Sequence, residues 1–358
     1  MKEIKRVLIM AGGTGGHVFP GLAVGNYLRE KGIEVFWLGT SEGLEARLVP
    51  DADFSFHRIH IKGIRRKGLF SLLTAPFKIA QAVLEAKRII DAIKPDVVIG
   101  MGGYVSGPGG LASWLTRRPL IIHEQNAKAG LTNKVLARLA KKVLTGFPNV
   151  FPSQDKVEVV GNPVRKAIEN LTPPQARRLS GDEPLHLLVL GGSLGAQALN
   201  ELVPQAIAKL SDRPKIIHQT GSKFCEMTKE CYAAQGVEVT LSPFIEDMAA
   251  MYSWADVVLC RAGALTVAEL CAAGLGAIFV PYPFAVDDHQ TANANFMVAQ
   301  EAALCIQQRE LTADKLAELI ATFSQTPNKR LRMAEAAYRL RKINVAERIY
   351  HICKEICH

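Results

Sequence analysis

The sequence predicts two doubly wound α/β domains in series, and three observations predict it. Short β-branched runs alternate with helix-length amphipathic stretches, the grammar of a parallel sheet covered on both faces. Glycine-rich turns stand at the ends of several of those runs. The second half also repeats the first: Asp96-Val97-Val98 has a counterpart in Asp256-Val257-Val258, each opening a strand that ends in a small-residue loop. The length of 358 residues fits about two domains of roughly 150 residues each.

The elements follow in order. Val7-Leu8-Ile9-Met10 is the first strand and runs into Ala11-Gly12-Gly13-Thr14-Gly15-Gly16, then a helix to about residue 31. Further strands are expected over 34–38, 96–100 and 119–122. Residues 97–116 carry no charge for 20 positions, long enough to span a bilayer. Six glycines and Pro108 instead divide that stretch into a strand, a glycine loop and a helix start. In the second half Leu187-Leu188-Val189-Leu190 meets Gly191-Gly192-Ser193-Leu194-Gly195, with a helix after it over about 196–210. The turn Arg261-Ala262-Gly263-Ala264 precedes a helix over 265–273. Residues 328–356 read as one or two terminal helices. The polar stretch 169–184 holds three prolines, and Asn162-Pro163 lies near the hinge. The domains are therefore set at 1–163 and 164–340, with a terminal helix over 341–358.

Composition narrows the function. With 48% hydrophobic and 22% charged residues the chain can fill sizeable cores, which excludes disorder. Lys and Arg number 43 against 34 Asp and Glu, a net charge of +9 that favours nucleic acid, an anionic membrane or phosphorylated small molecules. The seven cysteines are odd in number and none precedes Cys225, so no disulfide framework is expected and a reducing cytoplasm fits. The N-terminal apolar run is too short for a signal peptide.

A glycine loop between strand and helix lets backbone N–H groups approach a ligand, and the helix N-terminus favours an anion there. Loops 12–16, 102–110 and 191–195, with the Gly263 turn, place four such sites at strand ends and indicate a nucleotide. Val18 stands where a dinucleotide fingerprint needs a small residue, and the second strand ends in Gly39-Thr40 rather than an acid. No phosphate-loop lysine motif occurs either. Glu269, on the helix after the Gly263 turn, can accept from two vicinal ribose hydroxyls. His17 opens a helix at the edge of the first loop and is the first choice of general base. His123 and Glu124, within His123-Glu124-Gln125-Asn126 at a strand end, are rival bases. Asp287-Asp288-His289-Gln290 with Asn293 form a third polar cluster.

These residues resemble a known family. Gly12-Gly13-Thr14-Gly15-Gly16-His17-Val18-Phe19-Pro20, Gly102-Gly103-Tyr104-Val105-Ser106-Gly107-Pro108 and His123-Glu124-Gln125-Asn126 are similar to the MurG family of bacterial cell-wall synthesis. Gly161-Asn162-Pro163-Val164-Arg165, Gly191-Gly192-Ser193-Leu194-Gly195-Ala196, Arg261-Ala262-Gly263-Ala264-Leu265-Thr266 and His289-Gln290 extend the match over essentially the whole chain. The resemblance implies a GT-B fold of two Rossmann-like domains facing a cleft, with the terminal helix returning to the first. It implies inverting transfer of N-acetylglucosamine from UDP-N-acetylglucosamine to the C4 hydroxyl of undecaprenyl-pyrophosphoryl-muramyl-pentapeptide (lipid I), giving lipid II. No cofactor and no obligatory metal are implied.

By the same resemblance Ile245 offers backbone groups to uracil, Glu269 holds the ribose, and Ser193 and Arg165 contact the diphosphate. Ala264, Leu265, Thr266, Val267, Ala268 and Glu269 form the turn that supplies further N–H groups. Gln290 and Asn126 bind the sugar, while Thr14, Gly15 and Gly16 approach the donor. Gly103, Tyr104 and Ser106 fall to the acceptor. Residues 281–288 vary in the family and take no carried-over role.

A membrane-bound acceptor calls for a lipid-facing surface. Residues 57–88 hold eight Lys or Arg against one acid, Glu85. There Lys62, Arg65, Arg66 and Lys67 flank Leu69, Phe70, Leu72, Leu73 and Phe77, and Trp114 with Arg117 and Arg118 extends the patch. Peripheral association with the cytoplasmic face of an anionic membrane is expected; no nucleic-acid-binding motif accompanies the charge. The rival readings are a UDP-N-acetylglucosamine 2-epimerase or diacylglycerol glucosyltransferase on the same fold, and a non-catalytic nucleotide-sugar sensor.

Overall fold

The computed structural model describes residues 3–61, 69–177, 184–192 and 195–357, with backbone alone over 69–73 and at 286. The chain divides into two compact units, Met1–Pro163 with Ile343–His358, and Val164–Lys342.

The first unit is built on a seven-stranded parallel sheet. Its strands are β1 (Arg6–Ala11), β2 (Glu34–Gly39), β3 (Ser55–Arg58), β4 (Val97–Gly102), β5 (Leu120–Glu124), β6 (Lys142–Thr145) and β7 (Val157–Val159), in the order β3-β2-β1-β4-β5-β6-β7. Helices cover both faces, which is why β1 and β4 read as unbroken apolar runs: Val7 to Ala11 and all of β4 are buried. The strand order reverses between β1 and β4, so their C-terminal ends leave a crevice at a topological switch point.

The second unit repeats the plan with six parallel strands. These are β8 (His186–Leu190), β9 (Lys215–Gln219), β10 (Thr240–Ser242), β11 (Val257–Cys260), β12 (Gly276–Phe279) and β13 (Ala303–Cys305), ordered β10-β9-β8-β11-β12-β13. Its switch point lies between β8 and β11. The sequence repeat has a physical cause. The Asp96 carboxylate accepts from Lys5 N at 2.9 Å and Arg6 N at 3.0 Å, while its own N–H donates to Arg6 O. Asp256 does the same for His186, accepting from its N–H at 2.9 Å and donating to its carbonyl. Each aspartate thus ties the start of one central strand to the start of its neighbour.

The uncharged stretch 97–116 folds as β4, a glycine turn and the helix Ser106–Leu115. Against that helix packs Leu69–Ile93, which buries Ala82, Val83, Ala86, Ile90 and Ile93 along one stripe. Residues 328–356 resolve into two helices with different homes. Pro327–Arg339 packs in the second unit, where Met333 joins the core. Val345–Ile356 buries Val345, Ile349, Ile352 and Cys353 among Val18, Val24 and Leu28 of the first. Among the described residues no helix is long and apolar enough to cross a membrane.

Candidate active site

In the first unit the polar residues collect at the C-terminal ends of β1, β4 and β5. The loop after β1 leads through Thr14, the N-cap, into the helix Gly15–Glu30, so His17 sits in the first turn, half-buried. What holds the loop is Glu45, a fully buried carboxylate. It accepts from Gly13 N at 2.8 Å, Thr40 N at 3.0 Å and Thr40 Oγ1 at 2.7 Å. No motif in the sequence pointed to Glu45, because its partners lie far along the chain or in a turn without a signature.

The turn after β4 passes directly against this loop. Gly102 and Gly103 take φ of 104° and 84°, the left-handed side that favours glycine. A Cβ on Gly102 would meet His17 Nδ1, and one on Gly103 would meet the Gly12 carbonyl. Both positions therefore exclude any side chain. Ser106, expected to reach the acceptor, is buried instead; its hydroxyl accepts from Gly102 N at 3.0 Å and lies 2.9 Å from Gly102 O, bracing the turn from within. Tyr104 projects with 56% of its surface exposed.

The quartet after β5 separates into distinct tasks. His123 is fully buried with Nε2 2.8 Å from Gly161 O, and burial pulls its pKa down to about 4. Its Nδ1 has no partner among the described residues. Glu124 is also buried, and its two oxygens accept from Asn126 N, Asn126 Nδ2, Gly130 N and Asn133 Nδ2 at 2.9–3.3 Å. It serves as the anchor of loop 124–133. Both rival bases are therefore enclosed in the fold rather than presented to a substrate. Gln125 reaches the other way, with Oε1 3.2 Å from His17 Nδ1.

In the second unit Gly263 N-caps the helix Ala264–Ala273. The helical ladder begins where Val267 N donates to Gly263 O at 2.9 Å. The amides of Leu265 and Thr266 precede that first bond, whereas Val267 is spent within the helix and its side chain is buried. An anion at this turn therefore meets the leading amides only, narrower than the six-residue turn expected. Glu269, one turn on, is 7% exposed. Its Oε1 accepts from Arg165 Nη2 at 3.1 Å and its Oε2 from the Tyr252 hydroxyl at 3.0 Å. Burial raises the Glu269 pKa, and the Arg165 charge with the two hydrogen bonds opposes the rise. Tyr252, fully enclosed, carried no signal in the sequence.

Two helices that bear or follow other candidates, Lys166–Glu169 and His289–Val298, pack against Ala264–Ala273. Ile245 is buried, and Arg165 N-caps the short helix Lys166–Glu169. Gln290, on the helix His289–Val298, accepts at Oε1 from Tyr282 N at 2.9 Å, and Asn293 Nδ2 donates to Ala262 O at 3.1 Å. Asp287 and Asp288 both adopt left-handed φ, near 50°, where the chain turns into that helix. Ser193 lies outside the described residues, as do Lys62, Arg65 and Arg66; Leu69, Phe70 and Leu73 are placed by their backbone alone, in the helix Leu69–Ile93.

Comparison with known proteins follows the same division. Residues 7–145 match the glycosyltransferase family 28 N-terminal domain and residues 186–349 its C-terminal domain. A UDP-N-acetylglucosamine–N-acetylmuramyl-(pentapeptide) pyrophosphoryl-undecaprenol N-acetylglucosamine transferase of Nitrosococcus oceani is 52% identical over 353 residues, 98% of either chain. The protein of the same name from Alkalilimnicola ehrlichii is 53% identical over 351 residues, again 98% of each. The crystal structure of Acinetobacter baumannii MurG superposes with a TM-score of 0.86 at 44% identity, over 98% of this chain and 99% of that one.

Proposed function

The chain belongs to glycosyltransferase family 28, and from that premise we propose how its residues divide one reaction. It is an N-acetylglucosaminyltransferase of GT-B fold that moves N-acetylglucosamine from UDP-N-acetylglucosamine to lipid I, forming lipid II. The observation that carries the division of roles is the place of His17, at the switch point of the first sheet in the opening turn of its helix.

Transfer from a nucleotide sugar separates charge: the anomeric carbon turns cationic as UDP departs with the electron pair of the broken bond. The second unit's part is to steady that diphosphate with the Leu265 and Thr266 amides and the positive end of their helix. Arg165 gives one N–H to Glu269 and keeps others for the diphosphate, its side chain being 48% exposed. Glu269 has lone pairs left to accept from ribose hydroxyls. In the first unit His17 takes the proton of the C4 hydroxyl as that oxygen attacks, with inversion at the anomeric carbon. His123, held neutral by burial, and Glu124, with both oxygens engaged, support His17 by elimination.

The first unit also carries our reading of membrane contact, as a peripheral protein on the cytoplasmic face. On the helix Leu69–Ile93, Phe77 is 80% and Leu84 57% exposed, two turns apart on one side, with Lys78 and Arg88 close in sequence. On the adjoining helix Trp114 is half exposed, followed by Arg117 and Arg118. Apolar side chains among cations suit an anionic leaflet.

The test is transfer of radiolabelled sugar from UDP-N-acetylglucosamine to a short-chain lipid I analogue with EDTA present. Labelled disaccharide lipid is expected; hydrolysed or epimerised sugar alone would overturn the assignment. His17→Ala should lower turnover at least about tenfold, and up to the roughly 10²–10⁴-fold lost with a general base, and leave UDP affinity nearly unchanged.

A further inference from the structure

We infer that Gln125 is a positioning residue that fixes the tautomer of His17, placing the proton on Nδ1 and the basic lone pair on Nε2. The inference rests on reading His17 as the base and adds the residue that readies it.

The hydrogen-bond logic runs in one direction only. Gln125 is buried, 1% exposed, and its Nε2 donates to the Met101 carbonyl at 2.7 Å. A carbonyl oxygen can only accept, so the amide group cannot sit the other way round. Oε1 therefore faces His17 Nδ1 at 3.2 Å, and an amide oxygen too can only accept. Nδ1 must carry the hydrogen. A neutral imidazole has one N–H and one lone pair, which leaves the lone pair on Nε2. Position 102 leaves room for the ring in this pose, because a Cβ there would overlap Nδ1. Asn162 Nδ2 donates to Gln125 O at 3.0 Å and secures the backbone of the residue that does the orienting.

The neutral partner matters as much as its direction. A carboxylate against Nδ1 would favour the imidazolium and keep the ring protonated to higher pH, leaving less of it ready to accept a proton. An amide orients the ring without adding charge. Among the described residues the titratable groups around His17 agree with this. His123, at the end of β5, is itself held neutral, and charge on His17 disfavours charge on it. Glu124 spends its oxygens on loop 124–133, and Glu45 spends its own on Gly13 and Thr40. Met101 and Gly102 of β4 bring no charge.

The test reads the ring directly. Full-length protein labelled with 15N-histidine is examined by long-range proton–nitrogen correlation at a pH where His17 is neutral, its signals assigned by their loss in His17→Asn. We expect Nδ1 to be pyrrole-like and Nε2 pyridine-like. In Gln125→Leu the ring should change to the Nε2–H form; Gln125→Glu, which keeps an oxygen against Nδ1, should retain Nδ1–H. An Nε2–H ring in the wild type, or one unmoved in Gln125→Leu, overturns the inference.

Turnover supplies a second readout. Gln125→Leu should lower kcat by about 10²-fold, the lower range for a lost general base, with donor KM within about twofold. Gln125→Glu, whose second oxygen must hold a proton to meet the Met101 carbonyl, should keep most of the wild-type kcat, and a loss equal to that of Gln125→Leu counts against the inference. Should Gln125→Leu fail to fold, the wild-type spectrum and Gln125→Glu decide alone. If His17→Ala turns over normally, the base reading falls while the spectra still decide the tautomer.

Discussion

Arg165 and Glu269 are joined at 3.1 Å between Nη2 and Oε1, with the carboxylate buried and the guanidinium half in solvent. The Tyr252 hydroxyl holds the other oxygen at 3.0 Å. The pair is thus asymmetric: the arginine can shift toward a diphosphate, whereas the glutamate cannot leave. Glu269→Ala should chiefly raise the donor KM. Tyr252→Phe should raise it less and cost about 1–3 kcal/mol of stability, the range for a buried group robbed of its partner. Initial rates over a UDP-N-acetylglucosamine series and denaturant titrations check both, and a normal KM in Glu269→Ala would end the ribose assignment.

Much of this arrangement is legible in the sequence, for a definable reason. His17, the glycine loops and Glu269 occupy turns whose geometry follows from local sequence: strand, glycine, helix. Glu45, Tyr252 and the orientation of Gln125 depend on partners 5–32, 17 and 24–108 positions away, so no local pattern encodes them. Ser106 misled in the same way, since only the fold turns its hydroxyl back on Gly102. The repeated aspartates were legible as a repeat, yet their purpose emerged only with strand order, when each proved to bind the neighbouring central strand.

Glu45 makes the first glycine loop a testable unit. Glu45→Gln replaces an acceptor with an NH2 group against backbone N–H donors from Gly13 or Thr40. We expect a loss of about 1–3 kcal/mol in denaturant titration, the cost of leaving buried groups unmatched, and reduced turnover because the Gly13 amide loosens. Wild-type stability and turnover together would show that the carboxylate does not hold the loop.

Two enclosed histidines make the fold weaker in acid. Burial lowers His123 to about 4 and His218 to about 3, against an ordinary value of 6.5. In the unfolded chain both take a proton as pH falls through 6.5, while in the folded chain they do not. The unfolded state then binds more protons, so stability is full above about 6.5 and drains away as pH falls toward 4. The denaturant midpoint should drop between pH 7 and pH 5. His218→Gln, which keeps a hydrogen-bonding amide beside the Tyr232 hydroxyl, 3.0 Å from Nδ1 in the wild type, should flatten part of that slope. Equal midpoints at the two pH values would refute the assignment.

Membrane contact yields to a comparison of two forces. Phe77 and Leu84 present apolar surface on one side of their helix, and burying such a side chain is worth about 1.5–3 kcal/mol. The cations nearby act through charge, which salt screens over about 10 Å at 0.1 M. Phe77→Asp with Leu84→Asp should therefore weaken flotation with anionic vesicles at low and high salt alike. Arg117→Glu with Arg118→Glu should weaken it at low salt, with the difference from wild type shrinking as salt rises. Neither pair touches the His17 or Glu269 sites, so transfer to a water-soluble acceptor analogue should continue near the wild-type rate. Wild-type flotation by both double variants would reject this face as the membrane surface and leave the transfer chemistry standing.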